Sequence, residues 1–337
     1  MKLFSKSFLL VMAMLLIGEA SIRIFWSRNM SGRFEYGYNL TSGFEEEKDG
    51  TVNLVRAGGR RFHPQSFKMP KPEGVFRVFV IGDSVPRGPS RKEAYAHQLE
   101  KILKQKGIRA EVLNLAVPGY GARRSQIVLK QALRYQPDLI IKHINCSNEY
   151  EDEREYRRAQ DFQSWHPKNW LMKSVLLARL YEAQTEKIFW QLLPAKVRLQ
   201  TGVQDADAEI AASQNDEKIK QWRDFVTAKT LEDARFIREA GVSGIFISQA
   251  RSRNMAGGGY DLDDQGLDAL QESLARKGMQ TLSIKELFAQ ESDFKKHFAD
   301  SSHLHPSGHQ KIAEALADKV NALIIRNAAR TPVQPVR

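Results

Sequence analysis

The stretch VFVIGDSVPRG, Val78 to Gly88, decides how the chain is read. Apolar, β-favouring residues stop abruptly at Gly82-Asp83-Ser84, and a turn follows at Pro86 and Gly88. Either the strand needs a stop signal, or the serine is presented for chemistry. Taken alone, Ser84 reads as a strand-ending turn serine. The decision lies in what surrounds it.

Outward from this stretch the pattern alternates. VFRVFVIG reads as a strand and KEAYAHQLEKILKQKG as an amphipathic helix ending at Gly107. AEVLNLAV is a second strand followed by the turn PGYG. RSQIVLKQALRYQ is a helix stopped by Pro137, and PDLIIKHINCSN is a third strand. After an interruption the rhythm resumes with a helix (TAKTLEDARFIREAG), a strand (VSGIFIS) and a helix (DQGLDALQESLARKG). A short strand (MQTLSI) and the closing helix GHQKIAEALADKVNALIIRN complete it. Strand and helix in alternation predict βαβ units, a parallel sheet and helices on both faces.

Residues 151–235 break the rhythm. The charged run EYEDEREYRR leads into WLMKSVLLARLYEAQTEKIFWQLLP, read as a helical insertion, a lipid or partner surface, or plain core packing for Trp165, Trp170 and Trp190. Residues 27–74 read as a loop-rich arm with one hairpin, and 328–337 as a disordered tail. The core domain is expected over 75–327.

With 337 residues, 42% hydrophobic and 27% charged, the chain can bury a large core. The net charge of +11 fits several anionic partners and selects none. No RNP-like motif, zinc-finger spacing or recognition-helix pattern accompanies it, which argues against nucleic acid. Cys146 is the only cysteine, so no intrachain disulfide forms. It reads as a small buried apolar residue. At the N-terminus, Lys2 and Lys6 precede an unbroken apolar run from Phe8 to Ile17. That is the layout of a secretory signal, with small residues near Gly18 and Ala20. An uncleaved transmembrane anchor over residues 1–26 is the competing reading, with Glu19 and Arg23 costly in its lower half. Both readings put the remaining chain on the exported side.

Parallel sheets bind ligands where loops converge at the carboxyl ends of their strands. Ser84 follows the first strand, Gly119 the second and Asn148 the third; ADSSHLHPSGH, with Asp300 and His303, precedes the last helix. A serine hydroxyl needs an imidazole to take its proton, and the imidazole needs a carboxylate to fix its tautomer. Asp300 and His303 are three residues apart, close enough for that contact. Attack on an acyl carbon creates an oxyanion that placed donors must meet. The N–H groups of Ser84 and Gly119 and the Asn148 amide are the candidates.

These four blocks, Gly82-Asp83-Ser84, Gly119 in NLAVPGYG, Asn148 in INCSNE and Asp300/His303 in DSSHLHPSGH, resemble the ordered blocks of the SGNH (GDSL-type) hydrolases. The flanks YQPDLII and GHQKIAEAL fit too, and the match covers roughly residues 75–150 and 240–325. The resemblance implies a flavodoxin-like α/β/α sandwich and hydrolysis or transfer of an ester-linked acyl group without a cofactor. It implies Ser84 as nucleophile, Asp300 and His303 as orienter and base, and Gly119 and Asn148 as oxyanion donors. Two features depart from the family: Glu149 stands where aspartate is usual, and Val85-Pro86 stiffens the loop after the serine.

Each block also has a plain structural reading. Gly119 alone is a turn glycine, and Asn148 or Asp300 alone a capping residue. Arg123 and Arg124 read as a solvated helix start or as contacts to an anionic substrate. His303, His305 and His309 with Asp300 raise the possibility of a zinc site, but Pro306 and Gly308 break the register that would aim them together. The expectation is therefore an exported serine esterase acting on acyl groups, O-acetyl esters of a cell-envelope or extracellular polysaccharide foremost. An acyltransferase with the same triad, a lipid esterase, and a non-catalytic glycan-binding scaffold are the rivals. Oligomeric state is not readable from the sequence.

Overall fold

A computed structural model describes residues 2–26, 43–57, 60–163, 165, 174, 176, 215–255 and 259–330. The elements in chain order begin with α1 (Lys2–Trp26), β1 (Phe44–Glu46), β2 (Thr51–Ala57) and β3 (Arg60–Lys68). Then come β4 (Phe76–Ile81), α2 (Ser84–Arg87), α3 (Tyr95–Gln105), β5 (Ala110–Asn114) and α4 (Ala122–Ala132). Next are β6 (Leu139–Ile144), α5 (Glu149–Gln163), α6 (Asp216–Glu239), β7 (Ser243–Ser248), β8 (Arg251–Asn254) and β9 (Tyr260–Asp263). The chain closes with α7 (Asp268–Arg276), β10 (Gln280–Ser283), α8 (Ile284–Ala289) and α9 (Pro306–Arg330).

Alternation within β4 explains why it lies at the centre. Val78 and Val80 point into one apolar cluster with Leu99 and Leu103 of α3 and Leu316 and Val320 of α9. Phe79 and Ile81 point into the other, with Leu129 of α4, Ile237 of α6 and Leu274 of α7. A strand buried on both faces reads as a continuous apolar run, and helices must cover both sides. The central sheet has the order β10-β7-β6-β4-β5, and every pairing in it is parallel. Counted within the sheet this is the flavodoxin-like order 2-1-3-4-5, whose direction reverses between β4 and β6. The chain is an α/β/α sandwich, and that switch point is where its loops open a crevice.

The arm differs from expectation. Instead of one hairpin in a loop, β1, β2 and β3 form a three-stranded antiparallel sheet. Phe44, Val52, Leu54, Phe62 and Phe67 join the α4-side cluster, and Phe44 stacks on Tyr135 at 4.9 Å. Two features hid these strands: a register shift between Leu54 and Arg56, and Pro64 in the middle of β3. Proline is tolerated there because β3 is an edge strand. Arg77 fastens the arm to the sheet. Fully buried, it binds Glu111 at 2.7 Å, the Tyr135 and Lys68 carbonyls at 2.8 Å each, and lies over the Phe67 ring.

Other boundaries also shift. The helix expected from Thr227 extends back to Asp216, capped by Asn215, whose side chain accepts the Lys218 N–H at 2.9 Å. The closing helix runs through Arg330, so residues 328–330 are helical rather than tail. The hairpin β8–β9 was not expected at all. Most of the apolar segment of the insertion, including Trp170 and Trp190, lies outside the described residues, as do residues 331–337.

Among the described residues no helix is long and apolar enough to cross a membrane. The transmembrane reading of residues 1–26 therefore lacks support: the uninterrupted apolar run ends at Ile17, and Glu19 and Arg23 follow. Glu19 instead accepts hydrogen bonds from the Ser174 hydroxyl and the Leu176 N–H, each at 2.8 Å.

Candidate active site

The turn after β4 presents Ser84. Asp83 caps the one-turn helix α2 by accepting the Val85 N–H at 2.9 Å. Gly82 is required by space, since a Cβ there would lie 2.6 Å from the Pro86 ring and 3.1 Å from His143. The stiff Val85-Pro86 pair is thus the buried floor of the turn.

Ser84 meets residues from the far end of the chain. Its Oγ lies 2.8 Å from His303 Nε2, and His303 Nδ1 lies 2.7 Å from Asp300 Oδ2. A carboxylate facing Nδ1 keeps the proton on that nitrogen and leaves Nε2 as the acceptor for the serine hydroxyl. Asp300 Oδ1 accepts the Ser302 and His303 N–H groups, both at 2.7 Å. Burial pulls the Asp300 carboxyl upward, but these N–H groups and the His303 ring outweigh it and hold it below the usual carboxylate range.

The loop of the second block lies beside this turn: the Val117 N–H donates to the Gly82 carbonyl at 3.1 Å. Gly119 has φ +76°, and a Cβ there would lie 2.6 Å from Glu151 Oε1, so both backbone and space demand glycine. Among the described residues the N–H groups of Ser84 and Gly119 have no acceptor. Asn148, from the third block, donates one Nδ2 hydrogen to Asp83 Oδ2 at 2.5 Å. A primary amide has a second hydrogen, and that one remains for a ligand.

Glu149 takes part in capping a neighbouring helix. Its Oε1 accepts the Ala122 N–H at 2.8 Å, and Asp152 Oδ2 accepts the Arg123 N–H at 3.2 Å. Together they cap α4, whose own N-cap residue, Gly121, has no side chain to do so. Burial, then the neighbouring Asp152 charge, pushes the Glu149 carboxyl up to about 8. Arg124 is buried rather than solvated: its Nε binds Asp152 at 2.5 Å and its Nη2 the Gly119 carbonyl at 2.6 Å. Arg123 lies over the rings of Phe225 and Tyr156.

Residues that sequence reasoning missed hold the site from behind. Asp83 is buried and accepts Asn145 Nδ2 at 2.7 Å as well as Asn148. Burial pushes its carboxyl up, while the Val85 N–H and the Asn145 amide work against that. Gln249, just past β7, donates from Nε2 to the Ser302 carbonyl at 2.9 Å, and its Oε1 faces His143 Nε2 at 2.9 Å. The rule that singled out Ser84, Gly119 and Asn148, residues at carboxyl strand ends, also applies to Gln249.

The histidines of the zinc reading separate. His309 is buried against Tyr95, with ring centroids 5.9 Å apart, and His305 is exposed. Among the described residues no three His, Cys, Asp or Glu gather to hold a metal. Cys146 is not poised for attack, because burial pushes its thiol up to about 12.

Fold and site together define a Ser-His-Asp arrangement at the switch point of a flavodoxin-like sandwich. No model of a protein family matches the chain, and no curated protein matches it. Among solved structures the chain is similar to an acetyl xylan esterase, AlAXEase, at 11% identity and TM-score 0.43, covering 72% of this chain and 99% of that one. It is similar to TesA at 12% identity and TM-score 0.43, covering 73% and 99%. It is also similar to a lipase/acylhydrolase from Enterococcus faecalis at 11% identity and TM-score 0.44, covering 73% and 95%.

Proposed function

We propose that the chain is a serine esterase that cleaves acyl esters through an acyl-enzyme on Ser84. One observation carries the reading: a continuous line from Ser84 Oγ through the His303 ring to Asp300, with contacts of 2.8 and 2.7 Å. His303 Nε2 takes the Ser84 proton as Oγ attacks the acyl carbon. The carbonyl oxygen becomes an oxyanion and accepts from the Ser84 and Gly119 N–H groups and the second Asn148 hydrogen. The tetrahedral adduct collapses, the ester C–O bond breaks, and His303 returns the proton to the leaving alcohol. Water repeats the cycle in reverse roles and frees the acid.

A short acyl group, such as acetyl on a saccharide, is the substrate class we favour. Export is the matching location, supported by the order of charge and apolar run from Lys2 to Ile17. The test is aryl acetate turnover by the full chain, with Ser84→Ala and His303→Ala beside it. Each substitution should remove about three decades or more of kcat. Turnover that survives unchanged in both variants would remove this mechanism, and a wild type without turnover would leave a non-catalytic scaffold as the surviving reading. Adding a sugar acceptor separates hydrolysis from transfer.

A further inference from the structure

A second feature, on loops linked to those of the triad, is not used by the mechanism. A cavity of about 520 Å³ opens between the loop after β6, the start of α6 and the β8–β9 hairpin. Its walls include Cys146, Trp222, Arg223, Arg251, Arg253 and Gln265. Its walls are tied to the loops that carry the candidate catalytic groups at two points. Cys146 and Ser147 lie between Asn145 and Asn148, both bound to Asp83. The N–H of Ser252, between the two β8 arginines, donates to the Ser301 carbonyl at 2.8 Å, inside the loop that carries Asp300 and His303.

Three arginines and three aspartates line the cavity, and they are not all paired with one another. Arg253 is neutralised by Asp263 at 2.5 Å. Asp264 accepts the Gly266 N–H at 3.2 Å and shares a hydrogen bond with the Asp268 carboxyl, and Asp216 stands exposed at the first turn of α6. The side chains of Arg223 and Arg251 have neither hydrogen bond nor ion pair among the described residues, and the Nε atom of each is buried without a partner. Their terminal guanidinium nitrogens are not among the buried atoms and have no protein acceptor among the described residues, which leaves them open to an acceptor in the cavity.

The cavity wall is also shaped around these groups. Gly266, at φ +72°, leaves room for the Arg223 guanidinium, which would lie 2.6 Å from any Cβ placed there. Gln265 is held at φ +60°, a conformation unusual for a non-glycine residue. It is fixed by its own side chain, which accepts the Cys146 N–H at 3.3 Å and donates to the Gln249 carbonyl at 3.0 Å. Strain of this kind persists where the surroundings over-determine it, as binding sites do.

Resting on the esterase reading, we propose that this cavity is a substrate subsite that holds a sugar carboxylate on Arg223 and Arg251, so that the preferred ester is an acylated acidic saccharide. The planar guanidinium fork matches a carboxylate in two parallel hydrogen bonds. Trp222 lines the same cavity, and an indole is the kind of flat aromatic surface that the apolar face of a sugar ring packs against. Walls rich in Arg, Asp and Gln suit a charged, hydrated ligand and oppose a fatty acyl chain.

The test compares acetate release from an O-acetylated oligogalacturonide, a neutral O-acetylated oligohexoside of equal length and an O-acetylated sugar phosphate. The full chain and its Arg223→Gln, Arg251→Gln and Arg251→Lys variants are used, with thermal melts as folding controls. The wild type should favour the uronide over the neutral ester by about tenfold or more in kcat/KM. Each glutamine variant should lower that ratio about tenfold through KM, with Arg251→Lys keeping part of it. Calorimetric binding of the unacetylated oligogalacturonide to the wild type should weaken with salt, and it decides the matter if a variant fails to fold. No uronide preference, or one that survives both glutamine variants, overturns the proposal. An arginine-dependent preference for the sugar phosphate alone overturns the carboxylate assignment. Turnover of an aryl acetate that depends on Ser84 shows in parallel that the esterase reading stands even if the subsite falls.

Discussion

Asp300→Asn is the sharpest probe of the proposed chemistry, because it changes a proton while leaving the loop in place. Asp300 Oδ1 holds two backbone N–H groups at 2.7 Å, and the Asn carbonyl oxygen can keep both. The amide then faces His303 Nδ1 across the 2.7 Å now spanned by Asp300 Oδ2. Two donors cannot face each other, so the ring adopts the tautomer with its proton on Nε2. That nitrogen, 2.8 Å from Ser84 Oγ, becomes a donor and can no longer take the serine proton. The same exchange in the Ser-His-Asp template costs about 10⁴ in kcat, which corresponds to about 5.5 kcal/mol of barrier. We expect kcat on an aryl acetate to fall by three to four decades (~10³ to ~10⁴) while KM and the melting temperature hardly move. A variant that keeps a tenth of wild-type kcat would refute the assignment of His303 as a base oriented by Asp300.

Three further outcomes follow from the site. Asn148→Ala should lower kcat by about 10²- to 10³-fold with little change in KM, read by steady-state kinetics, because one oxyanion donor is lost. Gly119→Ala should lower both kcat and melting temperature, since its Cβ meets the Glu151 carboxylate at 2.6 Å and its φ is +76°. Glu149 carries a carboxyl raised to about 8 from its ordinary 4.5, so the folded state holds a proton that the unfolded chain releases between those values. Stability should therefore fall as pH rises through that window. Thermal melts of Glu149→Gln across about pH 5 to pH 9 should show a flatter decline, and an unaltered slope would contradict the raised carboxyl.

The sheet was legible because its strands are buried on both faces and read as apolar runs between clear helices. Ser84, Asp300 and His303 stood out in the sequence because Ser84 closes a strand and an Asp and a His three residues apart precede the last helix, and the structure brings the three within 2.8 and 2.7 Å of one another. The arm was not, because Pro64 and the register shift near Leu54 break the alternation that identifies strands. The hairpin β8–β9 was hidden for a similar reason: its four-residue strands carry charged side chains, and only Ser252 and Leu262 are buried. Arg124 looked like the solvated start of a helix and proved fully enclosed. Its burial depends on Asp152, a partner supplied 28 residues later by another helix, and no local pattern reveals that pairing.

That long-range pairing explains how the donor cluster acquires rigidity. An oxyanion hole works only if its donors are already aimed, since reorganisation at the moment of reaction would add to the barrier. Here the loop bearing Gly119 has glycine at 119 and 121, the most permissive residue for a backbone that must stay fixed. The constraint comes from α5. Glu149 and Asp152 cap the N–H groups of Ala122 and Arg123, and Arg124, tied to Asp152, grips the Gly119 carbonyl at 2.6 Å. Asn148 immediately precedes Glu149 and is bound to Asp83, the residue before the serine. The three candidate donors therefore share one hydrogen-bonded network. The long side chain of Glu149 keeps that network closed, because its carboxyl oxygen reaches the Ala122 N–H at 2.8 Å.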